Sequence, residues 1–526
     1  MMKKWQSIRA KMLVLLGGAA LAATLGSCAD GYDSPDGFDA GVKNTTMVTP
    51  NQIFIYLNQA GTEATIQWEM VKGCSGHEVT LLNTDDPENP VVVDGYDKRI
   101  VDGSRMTVPV QEDSHYKITM RTLGNKDLGN KDAENTLEKE FVTGVPSLGT
   151  IAGGTEEAPV NLNEWWTANQ PENTKGEWAF ELEAGKYYEI TDTLDLSIHW
   201  LTFRGNKNDR PIIFMKGKGT ITSCSGMKLK YINFDCTESS ADGVIGMTKK
   251  ENCPDSILSE NLGYARVDGT TSKPITGIYI VQDPWYVAHC WFKNVPKGFI
   301  TANSVECAWW YFTIDDCIIQ LDNEKSSKPF MALRPGGRTI KNISITNSTI
   351  YNIKENNTST YFVQWANRTN AAAAKVFGNT TAEMNTQTFN IAGTTFCRIY
   401  SGSNTKFGND VNYSVLTMER TIFNDCYGVR QLPRWCSNKT YKFNFWWDSE
   451  YNSGSGFDTQ DLQQKDSGGA EMVAVYDFGW TPEQMSAPLV FKTPSGEMTK
   501  NGGVDFTPKE NEVVKYKGGD PRWLNQ

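Results

Sequence analysis

The chain has 526 residues, 39% of them hydrophobic, and a net charge of −11. That length excludes a single ordinary domain unless the fold is an elongated repeat. Eleven cysteines are scattered without a Cys-x-x-Cys pair or a histidine-rich partner, which excludes a zinc site of the usual spacing.

The first element is not part of the fold. Lys3, Lys4, Arg9 and Lys11 precede the apolar stretch MLVLLGGAALAATLG, and LGSC ends at Cys28. A basic region, a short apolar run and small residues before a cut form a secretory signal over residues 1–27. The Leu-x-small-Cys ending resembles a bacterial lipobox. The resemblance implies cleavage before Cys28 and lipid on its thiol, with the outer membrane as the lipid partner. No other apolar run is long enough to span a membrane. Residues 28–48, in which Cys28 is followed by ADGYDSPDGFDAGVKNTT, are polar and aperiodic and read as a tether. Acidic residues directly after the lipid cysteine resemble the export signal of Bacteroides-type surface lipoproteins, which implies display at the cell surface. Loss of the signal removes four basic residues and moves the net charge to −15.

Residues 49–145 carry about seven short alternating runs: QIFIYL, ATIQWEM, HEVTLLN, PVVVDG, RMTVPV, HYKITMRTL and LEKEFVTG. That density of strands predicts a β-sandwich. Trp68 and Tyr116 sit where a fibronectin type III-like module, which this stretch resembles, places its core aromatics.

From residue 146 to 445 one short phrase recurs: NFDC, CWFKNV, DCIIQL, STIYNI, TTFCRI and RTIFND. Their central apolar residues, Phe234, Phe292, Ile318, Ile350, Phe396 and Ile422, are 58, 26, 32, 46 and 26 residues apart. A coil of a right-handed parallel β-helix takes roughly 20–30 residues, and loops lengthen it. The gap of 58 fits two coils or one coil with an insertion. Phe330 and Phe362 each follow the preceding phrase by 12 residues, which predicts that FMALRPGGRT and FVQWANRTN stack with Leu333 beside Trp365. Cys236, Cys290, Cys317, Cys397 and Cys426 fall inside strand-like runs and are expected to be buried. The fold class is therefore all-β, an N-terminal sandwich followed by a single-stranded parallel β-helix. Residues 446–526 form the closing segment, covering the open end of the solenoid.

The lipobox, the sandwich, the opening ELEAGKYYEITDTLDLSIHWLTFRG, the Asn/Thr-rich coils and the closing GDPRW together resemble a group of Bacteroides surface lipoproteins. In them a fibronectin III-like domain precedes a pectin-lyase-like β-helix of unknown function. The resemblance covers nearly the whole mature chain and implies a place in glycan utilisation, with uronate polysaccharides of plant or host origin as ligand and a glycan transporter complex as neighbour. Nucleic acid is not an expected partner at a cell surface.

Residues 330–445 hold 13 Lys or Arg against five acids, so a basic region sits in an acidic chain. Guanidinium forks match carboxylates, and aromatic faces pack on sugar rings. Arg368, Arg398, Arg430 and Arg434, with Trp365 and Trp435, are therefore the candidate ligand contacts. Three chemistries remain open. A lyase resembling pectate lyases needs a base, for which Arg334 and Arg338 are candidates with Lys328 third. It also needs Ca²⁺, for which Asp315, Asp316 and Asp322 are the nearest carboxylates. The segment RPGGR departs from that family's Arg-x-Pro-x-x-Arg run. A hydrolase resembling polygalacturonases would use the Asp pair of TIDDCII, but its companion signatures are missing, and adjacent strand residues face opposite ways. His289 reads as a satisfied structural histidine. Capture of an acidic polysaccharide without turnover needs no catalytic signature and is the preferred reading.

Overall fold

The computed structural model describes residues 42–58, 62–86, 88–172, 175–267, 272–274, 276–323, 328–333, 338–354, 362–365, 387–399, 414–426, 436, 438–447, 449–450, 457–458, 491–492, 504–508 and 517–524. The chain divides into two compact units, Met1–Gly144 and Val145–Gln526.

In the first unit, antiparallel strands form two sheets. Ile53–Leu57, Glu63–Trp68 and Arg105–Pro109 make one. Val91–Val92, Cys74–Asn83, His115–Gly124 and Leu137–Val142 make the other, with Arg99–Val101 also paired to Cys74–Asn83. Alternate residues point into the shared core, where Trp68 and Tyr116 are buried with Ile66, Val79, Leu81 and Ile118. This is a β-sandwich. Arg99–Val101 is a strand that the alternation signal missed, because its three residues are too few to show a period. The tether reading also needs correction at its end. Thr46 bridges Lys131, Asn130 donates to the Val42 carbonyl at 2.8 Å, and Met47 is buried, so residues 42–48 belong to the sandwich.

The second unit is a right-handed parallel β-helix. Three sheets run along it, of ten, eleven and six strands, and every pairing within them is between successive coils. Inward residues stack on like residues. Phe234 pairs with Phe292 in register, their rings 4.5 Å apart and 2° from parallel. The 58-residue gap is therefore one coil with an insertion. Phe330 stacks on Phe362 at 4.9 Å, and Leu333 pairs with Trp365, as the 12-residue offset predicts. Two expectations were one residue out of register. Phe292 pairs with Ile319 and Phe396 with Phe423, so Ile318 and Ile422 lie on the outer face. Both are apolar neighbours of the true inward residue, which a pattern alone does not separate.

The corner from the eleven-stranded to the ten-stranded sheet takes two residues. The first is left-handed in successive coils: Tyr231, His289, Asp316, Asn347, Gly393, Arg420 and Phe443, with φ between 48° and 57°. The second points inward and is buried: Ile232, Cys290, Cys317, Ser348, Thr394, Thr421 and Asn444. From Cys290 onward these side chains bond to backbone carbonyls. Cys317 and Ser348 reach the carbonyls of Asp315 and Thr346 at 3.2 and 2.6 Å. A thiol at this position does the work of a small buried donor, which accounts for Cys290 and Cys317.

At the start of the solenoid a two-turn helix, Leu162–Asn169, inserts Leu162 and Trp166 into the core. Asn161 caps it by accepting from the backbone N–H groups of Asn163 and Glu164. In the closing segment, Trp446 and Trp447 still belong to the last strand of the ten-stranded sheet, and the described residues from 491 onward lie along the outer flank of that sheet. Phe491, Phe506 and Trp523 pack there on Tyr351, Cys397, Ile422 and Phe443.

Candidate functional site

The six-stranded sheet builds a cleft. Its strands Ile245–Met247, Ile300–Thr301, Met331–Leu333 and Val363–Trp365 turn Ile245, Ile300, Met331 and Val363 inward. Gly246, Thr301, Ala332 and Gln364 then face outward in register across four coils. These residues are small or polar and leave a flat floor. At Gly246 even a methyl group would come within 2.6 Å of the Thr301 side chain and carbonyl.

One wall follows Met247: Lys249, Lys250 and Glu251. Asp195 holds it at both ends, one carboxylate oxygen accepting from the Thr248 hydroxyl at 2.6 Å and the other from Asn252 Nδ2 at 3.0 Å. The opposite wall is Asp242, Lys328 and Pro329. Together with Asn303 and Ser304 they enclose about 670 Å³. Asn303 and Ser304 are both left-handed (φ 47° and 62°), and Asn303 Nδ2 donates to the Met247 carbonyl at 2.6 Å. Two successive strained residues persist only where neighbours fix them, and such residues cluster at ligand sites.

Asp242 lies between Lys297 at 3.0 Å and Lys328 at 3.3 Å. Burial pushes its carboxyl up, but hydrogen bonds and charge from the two lysines outweigh this and hold it below the ordinary value. Lys249 and Lys250 are exposed and pair with no carboxylate among the described residues. The lining carries three amines against two carboxylates, a positive island in an acidic chain.

Of the residues singled out from the sequence, Lys328 and the strand of FMALRPGGRT reach this cleft. Arg334, Arg368, Arg430, Arg434, Trp435 and Cys28 lie outside the described residues. Arg338 opens the strand Arg338–Thr346 and Trp365 ends Val363–Trp365, but their side chains lie outside the described part. Arg398 is corrected. It is 4% exposed, its Nε donates to Asp425 at 2.7 Å and its Nη1 to the Ile353 carbonyl, so it is a structural cation and not a ligand contact.

The Ca²⁺ set is also corrected. Asp315 accepts from Thr346, Asn347 and Tyr286. Asp316 is re-aimed by its left-handed backbone onto His289, at 2.6 Å, and onto Arg522 of GDPRW. Burial pushes the Asp316 carboxyl up, but hydrogen bonds from His289 and Arg522 outweigh it and hold it low. Asp322 pairs with Lys354 at 3.3 Å. The three carboxylates thus serve three different neighbours, and no group of three His, Cys, Asp or Glu converges on one point among the described residues. They do not fit a divalent cation. The same engagement removes Asp315 and Asp316 as a hydrolytic pair. Lys249, Lys250, Asp242 and Asn303 were missed. They lie on an insertion or in corners, where no repeat marks them.

Residues 1–194 match DUF4992, a domain of unknown function, and residues 186–353 match DUF4957, also a domain of unknown function. The search of curated proteins found no match. Among solved structures, a Yersinia enterocolitica family 28 exopolygalacturonase aligns with 76% of this chain and 80% of its own, at 10% identity and a TM-score of 0.21. A score that low supports no inference about activity, and the β-helix rests on the strand register above.

Proposed function

We propose that the chain captures an acidic, uronate-containing polysaccharide in the cleft of the six-stranded sheet, as a lipoprotein anchored through Cys28 at the outer-membrane surface and serving a glycan transporter. The observation that carries this reading is the cleft itself: a floor of Thr301, Ala332 and Gln364 on three successive coils, with amines on one wall that pair with no carboxylate among the described residues. Lys249 and Lys250 meet sugar carboxylates, Lys328 is held at the far wall by Asp242, and Asn303, Thr301 and Gln364 supply hydrogen bonds to hydroxyls. Capture needs no base and no metal. A lyase would need a cation site other than Asp315, Asp316 and Asp322, which serve different neighbours.

Gel retardation on polygalacturonate tests the reading. The wild-type chain lacking residues 1–28 should be retarded, and the K249Q/K250Q variant should run close to its mobility in a plain gel. Equal retardation of both would remove the cleft from consideration.

A further inference from the structure

The corner between the ten- and six-stranded sheets carries a second recess. The segment Thr237–Asp242 forms a ridge there, pinned by Lys297, whose amine donates to the Ser240 carbonyl at 2.9 Å and to Asp242 at 3.0 Å. Asp242 faces the cleft already described. Thr237 and Glu238 face the other way, into about 330 Å³ lined also by Phe214, Met215, Lys216, Asp235, Lys293 and Asn294. This is at the low end of the ~300–1,000 Å³ range of small-molecule sites, suited to one sugar and not to a chain.

The charges of this recess are already balanced. Lys216 pairs with Glu189 at 3.1 Å and Lys293 with Asp235 at 3.4 Å. Both amines are thus taken by Glu189 and Asp235, and Glu238 adds a further negative charge to the lining, so no net attraction for an anion remains. What the recess offers is hydrogen bonding. Thr237 Oγ1 is spent within the wall, accepting from Asn294 Nδ2 at 2.8 Å and donating to Asp235, so it fixes Asp235. The spare capacity lies on the remaining N–H groups of Lys216 and Lys293 and on Glu238, which is exposed and forms no ion pair among the described residues. Phe214, stacked on Tyr187 with centroids 6.0 Å apart and with the Lys216 amine 5.4 Å from its ring centre, supplies an apolar edge. Alternating acceptors and donors beside an aromatic ring suit the hydroxyls and C–H face of an uncharged pyranose.

We propose that this recess is a second glycan site that takes a neutral sugar, and that its place one ridge away from the cationic cleft makes the ligand an acidic backbone bearing neutral branches. The branch assignment rests on the capture reading above; the neutral-sugar site does not.

Titration calorimetry with a linear oligouronate and with the same backbone carrying a single neutral hexose branch tests it. The branched ligand should bind about tenfold tighter to the wild-type chain. That advantage should fall below about twofold in both E238A and T237V, and K249Q/K250Q should weaken both ligands alike. Equal affinity for the two ligands, or an advantage intact in both variants, overturns the branch assignment. Saturation-transfer NMR with methyl glycosides of neutral hexoses reads the recess by itself. A signal that E238A abolishes and K249Q/K250Q keeps supports the site even if no oligouronate binds, which would sink the capture reading alone. No signal from any neutral hexose overturns the second site, whatever the uronate does.

Discussion

Lys249 and Lys250 stand on a wall that Asp195 holds from behind, and their amines pair with no carboxylate among the described residues. Replacing either by Gln should weaken polygalacturonate binding about threefold, the scale of one exposed ionic contact. The loss should vanish in 1 M salt, where the Debye length is about 3 Å. Arg398 gives the opposite expectation. R398A should lower stability by about 3 kcal/mol, because it strands Asp425 and removes a buried donor, while leaving glycan affinity unchanged. Thermal unfolding and retardation read side by side check both halves. At this scale the sequence was least legible. Charge counting cannot tell Arg398, folded into an ion pair, from Lys249, left open, since both are cations in a polar stretch. Asp316 shows the same limit. Its partner Arg522 is 206 residues away, beyond any local pattern.

Each corner from the eleven-stranded to the ten-stranded sheet joins a left-handed residue to an inward one. At Gly393, φ is +55°, and a Cβ would crowd Asn347 Oδ1 at 3.0 Å while only touching Pro521 at 3.5 Å. G393A should cost about 1–2 kcal/mol, as a left-handed alanine does. Differential scanning calorimetry would show it, and an unchanged Tm would contradict a left-handed backbone at this corner. The elements themselves were legible. Apolar residues at coil spacing revealed the stack, and the Phe330–Phe362 offset fixed its register. Spacing failed only where two apolar residues are adjacent, as at Ile318–Ile319 and Ile422–Phe423, and where an insertion interrupts the repeat. That insertion carries the lysine wall.

On the scale of the whole molecule, GDPRW is a strap along the solenoid. Arg522 reaches Asp316, Trp523 Nε1 and Asp520 both bond the Thr349 hydroxyl at 2.7 Å, the Asp520 N–H donates to Thr395, and the Gly519 N–H donates to the Arg420 carbonyl. Four successive coils are tied by the five residues Gly519 to Trp523, so W523A should cost about 3–5 kcal/mol and loosen the last coils first. Asp520 makes the strap sensitive to pH. Burial pushes its carboxyl up to about 6, against the opposing pull of Arg522 and of hydrogen bonds from Thr349 and the Arg522 N–H. The folded state therefore keeps a proton that the unfolded state loses near pH 4. The stabilisation is fully present below pH 4 and is lost as pH rises through 6, an effect of up to about 3 kcal/mol. D520N, which keeps an acceptor for Thr349, should flatten the slope of stability against pH between 4 and 6. The strap was legible as a terminal motif, but its target was not, since nothing local to GDPRW points to the flank rather than the end.

The measurement that bears most directly on the central claim is calorimetric titration of polygalacturonate into the chain lacking residues 1–28, at low and high salt, with absorbance of unsaturated uronate ends followed in parallel. The account predicts salt-sensitive binding that K249Q/K250Q largely abolishes and flat absorbance with or without Ca²⁺. Absence of binding, or binding that the double variant leaves intact, would contradict it; rising absorbance would make the protein a lyase in place of a capture protein.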